Sequence, residues 1–72
     1  MAKDPKIVVG SNIRNIRKAI GWSQEQLAEA CGLHRTYIGA VERGERNICL
    51  ENIVAISRAL RVSTTTLLEG ME

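Results

Sequence analysis

Apolar residues recur along the chain at intervals of three and four. The breaks between runs fall at glycines and short polar turns, so the pattern predicts helices and offers no candidate strand or repeat. Val9, Ile13, Ile16 and Ile20 form the first stripe. Asp4 suits its N-cap, with Pro5 at the first helical position, where a missing N–H costs nothing. Gly10 in the interior costs up to ~1 kcal/mol relative to Ala, so a later start capped by Ser11 is the alternative. Gly21 stops this helix and Trp22 links it to the next. Ser23 caps a second helix and Gln26, three residues on, completes a capping box. Leu27 and Ala28 mark its inner face, and Gly32 ends it in the left-handed conformation that only Gly takes without steric cost. Leu33 follows as an apolar plug, and Arg35 to Arg43 has the spacing of a third helix with Ile38 and Val41 inward. After a polar turn from Gly44 to Cys49, the residues Leu50, Ile53, Ile56, Ala59 and Leu60 define a fourth helix, with Arg58 and Arg61 outside. Val62-Ser63 closes it, and Ser63 caps a short last helix over 63–69. The fold class is therefore all-α with five helices.

Leu67, Leu68 and Met71 give the last piece more apolar surface than one helical turn can bury. Either they cover the floor of the core or they form a homodimer interface. For so small a chain the second is the preferred expectation. The 72 residues suffice for one domain, 1–72, with a marginal core, since a domain this size buries about 60% of its unfolded surface. Apolar residues make up 44% and charged residues 25%, as in an ordinary globular protein. No apolar run approaches the roughly 20 residues of a membrane span and no signal peptide is visible, which predicts a cytoplasmic protein with no membrane partner.

The net charge is only +2, but its distribution is uneven. Lys3, Lys6, Arg14, Arg17 and Lys18 cluster early, Arg35, Arg43 and Arg46 surround the third helix, and Glu69 and Glu72 lie at the far end. A solvated surface and a basic face for phosphate both fit this pattern, and charge alone does not choose. Cys31, Cys49 and the lone His34 fall short of the four ligands of a zinc site, so no metal and no cofactor are expected. Cys31 reads as a small buried thiol. With no nucleophile near His34, no phosphate loop and no metal set, an enzyme is not expected.

Two helices joined by a short turn containing glycine, about 23–43, make a helix-turn-helix, and its second helix suits a DNA major groove. Arg35, Thr36, Tyr37 and Ala40 point outward from that helix. Arg35 can donate two hydrogen bonds to guanine, worth about 1–3 kcal/mol of discrimination. Thr36 can bond a base or offer its methyl to thymine, and Ala40 is short enough to let the helix sit close. Tyr37 can reach a base edge or a phosphate, or else pack beside Trp22 or the turn. Trp22 itself reads as a lid over the core, because one tyrosine and no phenylalanine accompany it for stacking single strands. Backbone contacts are expected from Gln24, where helix N–H groups favour an anion, and from Arg43, Arg46 and Asn47 beyond the recognition helix. Arg46 and Asn47 are the stronger pair, since Arg43 can instead bind Glu42 or Glu45. A protein-binding relative of this motif, such as an antitoxin, would turn apolar or acidic residues outward, where this chain has Arg, Thr and Tyr.

The segment GWSQEQLAEACGLHRTYIGAVERGERN closely resembles the helix-turn-helix of the Cro and phage-repressor type of bacterial regulator. The RxxxGWSQ entry and the LENIVAISRALRVS exit extend the resemblance over nearly the whole chain. Within that family, GLHRTYIGAVERGERN looks most like the controller proteins of restriction–modification systems, small dimeric regulators that time endonuclease expression. The resemblance implies a compact five-helix fold of the lambda-repressor type, base reading by Arg35, Thr36 and Tyr37, and backbone contacts from Gln24, Arg46 and Asn47. It also implies a buried ion pair between Arg17 and Glu42, residues that composition alone places on the surface. A homodimer would set two recognition helices about 34–36 Å apart on a pseudo-palindromic operator. A phage Cro-like or self-regulating repressor shares this architecture. Activation would need RNA polymerase contacts, for which Glu25 and Glu29 are candidates. His34 stands where the family commonly has an Asp or Ser cap, and Gly39 where a polar residue is usual. With no segment after the last helix, no small-molecule effector is expected.

Overall fold

The computed structural model describes residues 4–71, so Lys3 and Glu72 lie outside the described residues. It contains α1 (Pro5–Ala19), α2 (Gln24–Cys31), α3 (Arg35–Glu42), α4 (Leu50–Leu60) and α5 (Thr64–Leu67), and among the described residues no strand. Asp4 starts α1 by accepting the Lys6 N–H at 2.9 Å, and the helix runs through Ser11 without a break. Beyond Ile20, Gly21 adopts φ +79°, and the Gly21 and Trp22 N–H groups return to the carbonyls of Lys18 and Arg17 at 3.0 and 3.1 Å. That is a Schellman closure, and it turns the chain directly into α2. The capping box forms in both directions: Ser23 Oγ accepts from Gln26 N–H, and Gln26 Oε1 accepts from Ser23 N–H. Gly32, at φ +73°, ends α2.

α1 packs on α3 and α5, α2 on α3 and α4, and α4 on α5. Their inner faces supply one core of Val9, Ile13, Leu27, Ala28, Ile38, Val41, Ile56, Leu60 and Leu67. Each fully buried Ile or Leu contributes about 1.5–3 kcal/mol relative to leaving it exposed. Trp22, Leu33, Tyr37, Ile48 and Ile53 close over it as partly buried residues, so Trp22 does serve as a lid. Gly10 lies where α1 crosses the end of α3: a Cβ there would strike the carbonyl oxygens of Val41 and Glu42. The helix-weakening glycine is thus what lets α1 and α3 approach.

Several expectations are corrected. Ile20 is exposed, and its inward place is taken by Arg17, which is buried. Leu50 begins α4 but is 74% exposed, so the buried face of that helix is formed by Ile56, Ser57 and Leu60. α4 ends at Leu60, and its C-cap Arg61 takes φ +59° with no glycine to mark the stop. Ser63 caps α5 as expected, but α5 ends at Leu67, where Asn12 Nδ2 on α1 donates to the carbonyls of Leu67 and Glu69, both at 2.9 Å. Leu67 is fully enclosed by its own chain and has no surface for a partner. Of the three residues assigned to a dimer contact, only Leu68 and Met71 are exposed, at 36% and 38%.

Candidate nucleic-acid interface

The face that α3 turns outward is held from behind by charge. Arg17 reaches from α1 and donates from Nε to Glu42 Oε2 at 2.7 Å and from Nη2 to Oε1 at 2.9 Å. Its Nη1 donates to the Trp22 carbonyl at 2.7 Å, tying the same guanidinium to the α1–α2 link. Gln24, at the start of α2, donates from Nε2 to Glu42 Oε1 at 3.0 Å. α1 and α2 therefore both bond the last residue of α3, and the link between them holds the same Arg17. The two charged side chains are only 9% and 2% exposed, and among the described residues no buried side-chain polar atom lacks a partner. Hydrogen bonding to Glu42 raises the Arg17 pKa above its ordinary value, against the opposing effect of burial. Such a pair adds little net stability over apolar residues of equal volume, but it strongly resists losing one member.

The other end of α3 is capped by His34, whose Nδ1 accepts the Thr36 N–H at 3.1 Å. An imidazole thus serves in place of the more usual carboxylate or hydroxyl. Between the two ends, Arg35 and Thr36 are exposed, and among the described residues neither side chain has a hydrogen-bond partner within the protein. They line an open polar cleft of about 600 Å³ with Gln24, Gly39 and Arg43. Gly39 forms its floor: a Cβ there would come 3.2 Å from Arg43 Nη1 and 3.4 Å from Gln24 Oε1. The glycine lets those two side chains lie across the helix. Ala40, one turn beyond Thr36, is half-buried.

Tyr37 is more constrained than its neighbours. Its ring packs against the core, and its Oη accepts from Asn52 Nδ2 on α4 at 3.0 Å. It packs toward α4, and the Arg46 guanidinium carbon lies 5.3 Å from its ring centroid. Arg43 pairs with Glu45 at 3.0 Å, since Glu42 is already occupied by Arg17 and Gln24. That exposed pair contributes little, and the Arg43 charge stays at the surface. Arg46 and Asn47 are exposed in the following turn. Gly44, at φ +76°, brings that turn against Ile7 at the start of α1. The structure thus gathers Gln24, Arg35, Thr36 and Arg43 at one cleft and places Tyr37 with Arg46 beside Asn52. Sequence reasoning gave no role to Asn52 or to the Gln24–Glu42 bond. A polar residue in the first turn of a helix opposite a half-buried tyrosine is the only local signal for the former.

Cys31 is half-buried rather than buried, with burial raising its pKa, and Cys49 is exposed. Among the described residues no cluster of three or more His, Cys, Asp or Glu side chains could hold a metal, and no helix is long and apolar enough to cross a membrane.

The sequence profile of the HTH_3 helix-turn-helix family matches residues 13–67. Control protein C.SmaI of Serratia marcescens is 49% identical over 90% of this chain and 77% of its own length. Control protein C.BamHI of Bacillus amyloliquefaciens is 46% identical over 96% of this chain and 86% of its own. The crystal structure of the restriction-modification controller protein C.AhdI from Aeromonas hydrophila superposes with a TM-score of 0.84. It is 44% identical and the match covers 86% of this chain and 94% of that one. A profile spanning the whole motif, a shared fold and an outward helix face with free Arg and Thr side chains agree: this chain belongs to the HTH_3 helix-turn-helix family of DNA-binding, non-enzymatic transcription regulators.

Proposed function

We propose that the protein is a homodimeric, sequence-specific transcription regulator that acts in the cytoplasm on a pseudo-palindromic operator as the controller protein of a restriction–modification system. One observation carries the reading: Arg35 and Thr36 project, unpartnered within the described chain, from a helix fixed at one end by His34 and at the other by Arg17 and Gln24. Such a face is rigid without being used internally, which is what base readout demands. Arg35 and Thr36 read base edges, with Ala40 allowing close approach and Tyr37 contributing from the edge of the helix. Gln24, Arg43, Arg46 and Asn47 hold phosphates on either side. Leu68 and Met71 form the dimer contact. The similarity to controller proteins supports the biological role. Control then works through protein concentration and operator occupancy, with no small-molecule effector, and exposed Glu25 and Glu29 are available to RNA polymerase.

The test compares binding to a duplex that the protein enriches from a random-sequence pool with binding to unselected duplex. Arg35→Ala lowers affinity for the enriched duplex by roughly 10-fold or more, the size of one bidentate base contact, and leaves unselected DNA much less affected. Equal losses on both would remove Arg35 from base reading.

A further inference from the structure

The Tyr37 side chain is held at its hydroxyl by a residue without an assigned role and is covered on its ring face by Arg46. Asn52, in the first turn of α4, donates its amide N–H to Tyr37 Oη at 3.0 Å, and Arg46 lies over the same ring at 5.3 Å. Three segments converge on one side chain: the ring belongs to α3, the cation to the turn after it, and the amide to α4. We propose that Asn52 is a positioning residue for DNA binding, which fixes the Tyr37 ring as the platform for Arg46 and leaves the Tyr37 hydroxyl proton free for a DNA acceptor. The inference rests on the placement of Tyr37 and Arg46 at the DNA.

The chemistry follows from the donor and acceptor inventory. A phenol has a single proton and oxygen lone pairs that accept. Asn52 occupies the oxygen as an acceptor, so the proton is not consumed inside the protein. Phosphate and sugar oxygens along a duplex are acceptors, and the free proton is the group that suits them. An Asn carboxamide turned the other way, with its oxygen toward Tyr37, would take that proton instead.

Arg46 is exposed in a turn, and a long side chain there loses conformational freedom when it grips a phosphate. Holding its guanidinium over an aromatic face removes part of that freedom before DNA arrives. The face serves only if it is still, and Tyr37 is held by the core on one side and by Asn52 at its tip. Asn52, the third residue of α4, is not engaged at the helix start, where the N-cap Cys49 makes no side-chain cap bond.

The probes are a duplex enriched by the wild-type protein from a random-sequence pool and an unselected duplex, each titrated across a range of KCl. Asn52→Ala weakens binding to the enriched duplex by about 3- to 10-fold, the size of one hydrogen bond. That loss largely disappears when the same change is made on Tyr37→Phe, because both remove one contact. The log–log salt slope becomes shallower, toward that of Arg46→Ala, for which the full change is ~0.9. A role confined to stability would leave the slope unchanged. Asn52→Leu, with the same side-chain branching and better helix propensity than Asn, carries the test if Asn52→Ala unfolds. An undiminished loss in the Tyr37→Phe background, an unchanged slope, or wild-type binding by the Asn52 variants overturns the proposal while leaving the DNA face intact. Wild-type binding by both Arg46→Ala and Tyr37→Phe overturns the placement of those residues, and the proposal with it.

Discussion

Replacing Gly10 with Ala sets helix propensity against packing, and the two predict opposite signs. In an exposed helix interior the change stabilises by about 1 kcal/mol, because Gly loses more backbone entropy than Ala on folding. Here the new methyl carbon would lie 2.9 Å from the Glu42 carbonyl oxygen and closer still to that of Val41. Both are backbone atoms inside α3 and cannot rotate away. α1 must lift from α3, an overpacking cost of typically 1–3 kcal/mol and here at the upper end. Arg17 lies two turns along the same helix, so the shift also loosens its bonds to Glu42. The expected net effect is a loss of about 2 kcal/mol. For a chain this size that lowers the melting temperature by roughly 8–16 °C. The assay is urea and thermal unfolding at one fixed protein concentration, because self-association shifts the midpoint. A Gly10→Ala protein as stable as the wild type, or more so, would refute the close approach of α1 and α3 at this point.

Other perturbations separate the remaining contributions. Glu42→Ala leaves Arg17 buried without its partner and costs about 3–5 kcal/mol, whereas Arg17→Met combined with Glu42→Leu recovers much of that loss, as the two unfolding midpoints will show. Leu67→Ala costs about 2–5 kcal/mol of folding stability. Leu68→Glu leaves folding nearly unchanged and weakens self-association in sedimentation equilibrium; an unaltered dimer would move the interface elsewhere. Asp4, accepting the Lys6 N–H, is held below its ordinary pKa of 3.8. Its stabilising contribution is therefore full above about 3.8 and fades as pH falls through the lower folded value. The stability difference between wild type and Asp4→Asn, followed by acid titration, should vanish at the bottom of that window.

Features encoded within a few residues of each other were legible from the sequence. Asp4-Pro5, the Ser23–Gln26 box and Gly32 define starts and stops through local hydrogen bonds, and each acts as its residue type requires. Features that depend on what lies across the fold were not. Ile20 continues an apolar stripe perfectly, yet the chain buries Arg17 instead, because Glu42 approaches there and Gly21 turns the backbone away after Ile20. Only family resemblance suggested that pair. Leu50 looks like the first core residue of α4 but lies at an exposed helix start. Gly10 looked like a reason to begin α1 later, when its meaning lies in the carbonyls of another helix. On the outward face of α3, residue type singles out Arg35 and Thr36, and both are exposed, but the restraint of Tyr37 by Asn52 joins positions 15 apart that no spacing rule connects.

The absence of internal bonds at Arg35 and Thr36 has a consequence for how such a protein can change over generations. Neither side chain contributes a hydrogen bond to the described chain, so replacing either leaves the scaffold's bonding intact and, under the proposed base readout, alters only what is read. Under the proposed readout, a duplicated copy drifts toward a new operator through these two codons while remaining fully folded. Tyr37 and Gln24 have no such liberty, because each is tied to another helix. Under that readout the vocabulary of such a regulator is rewritten at the first two positions of α3, while its grammar is locked into the scaffold.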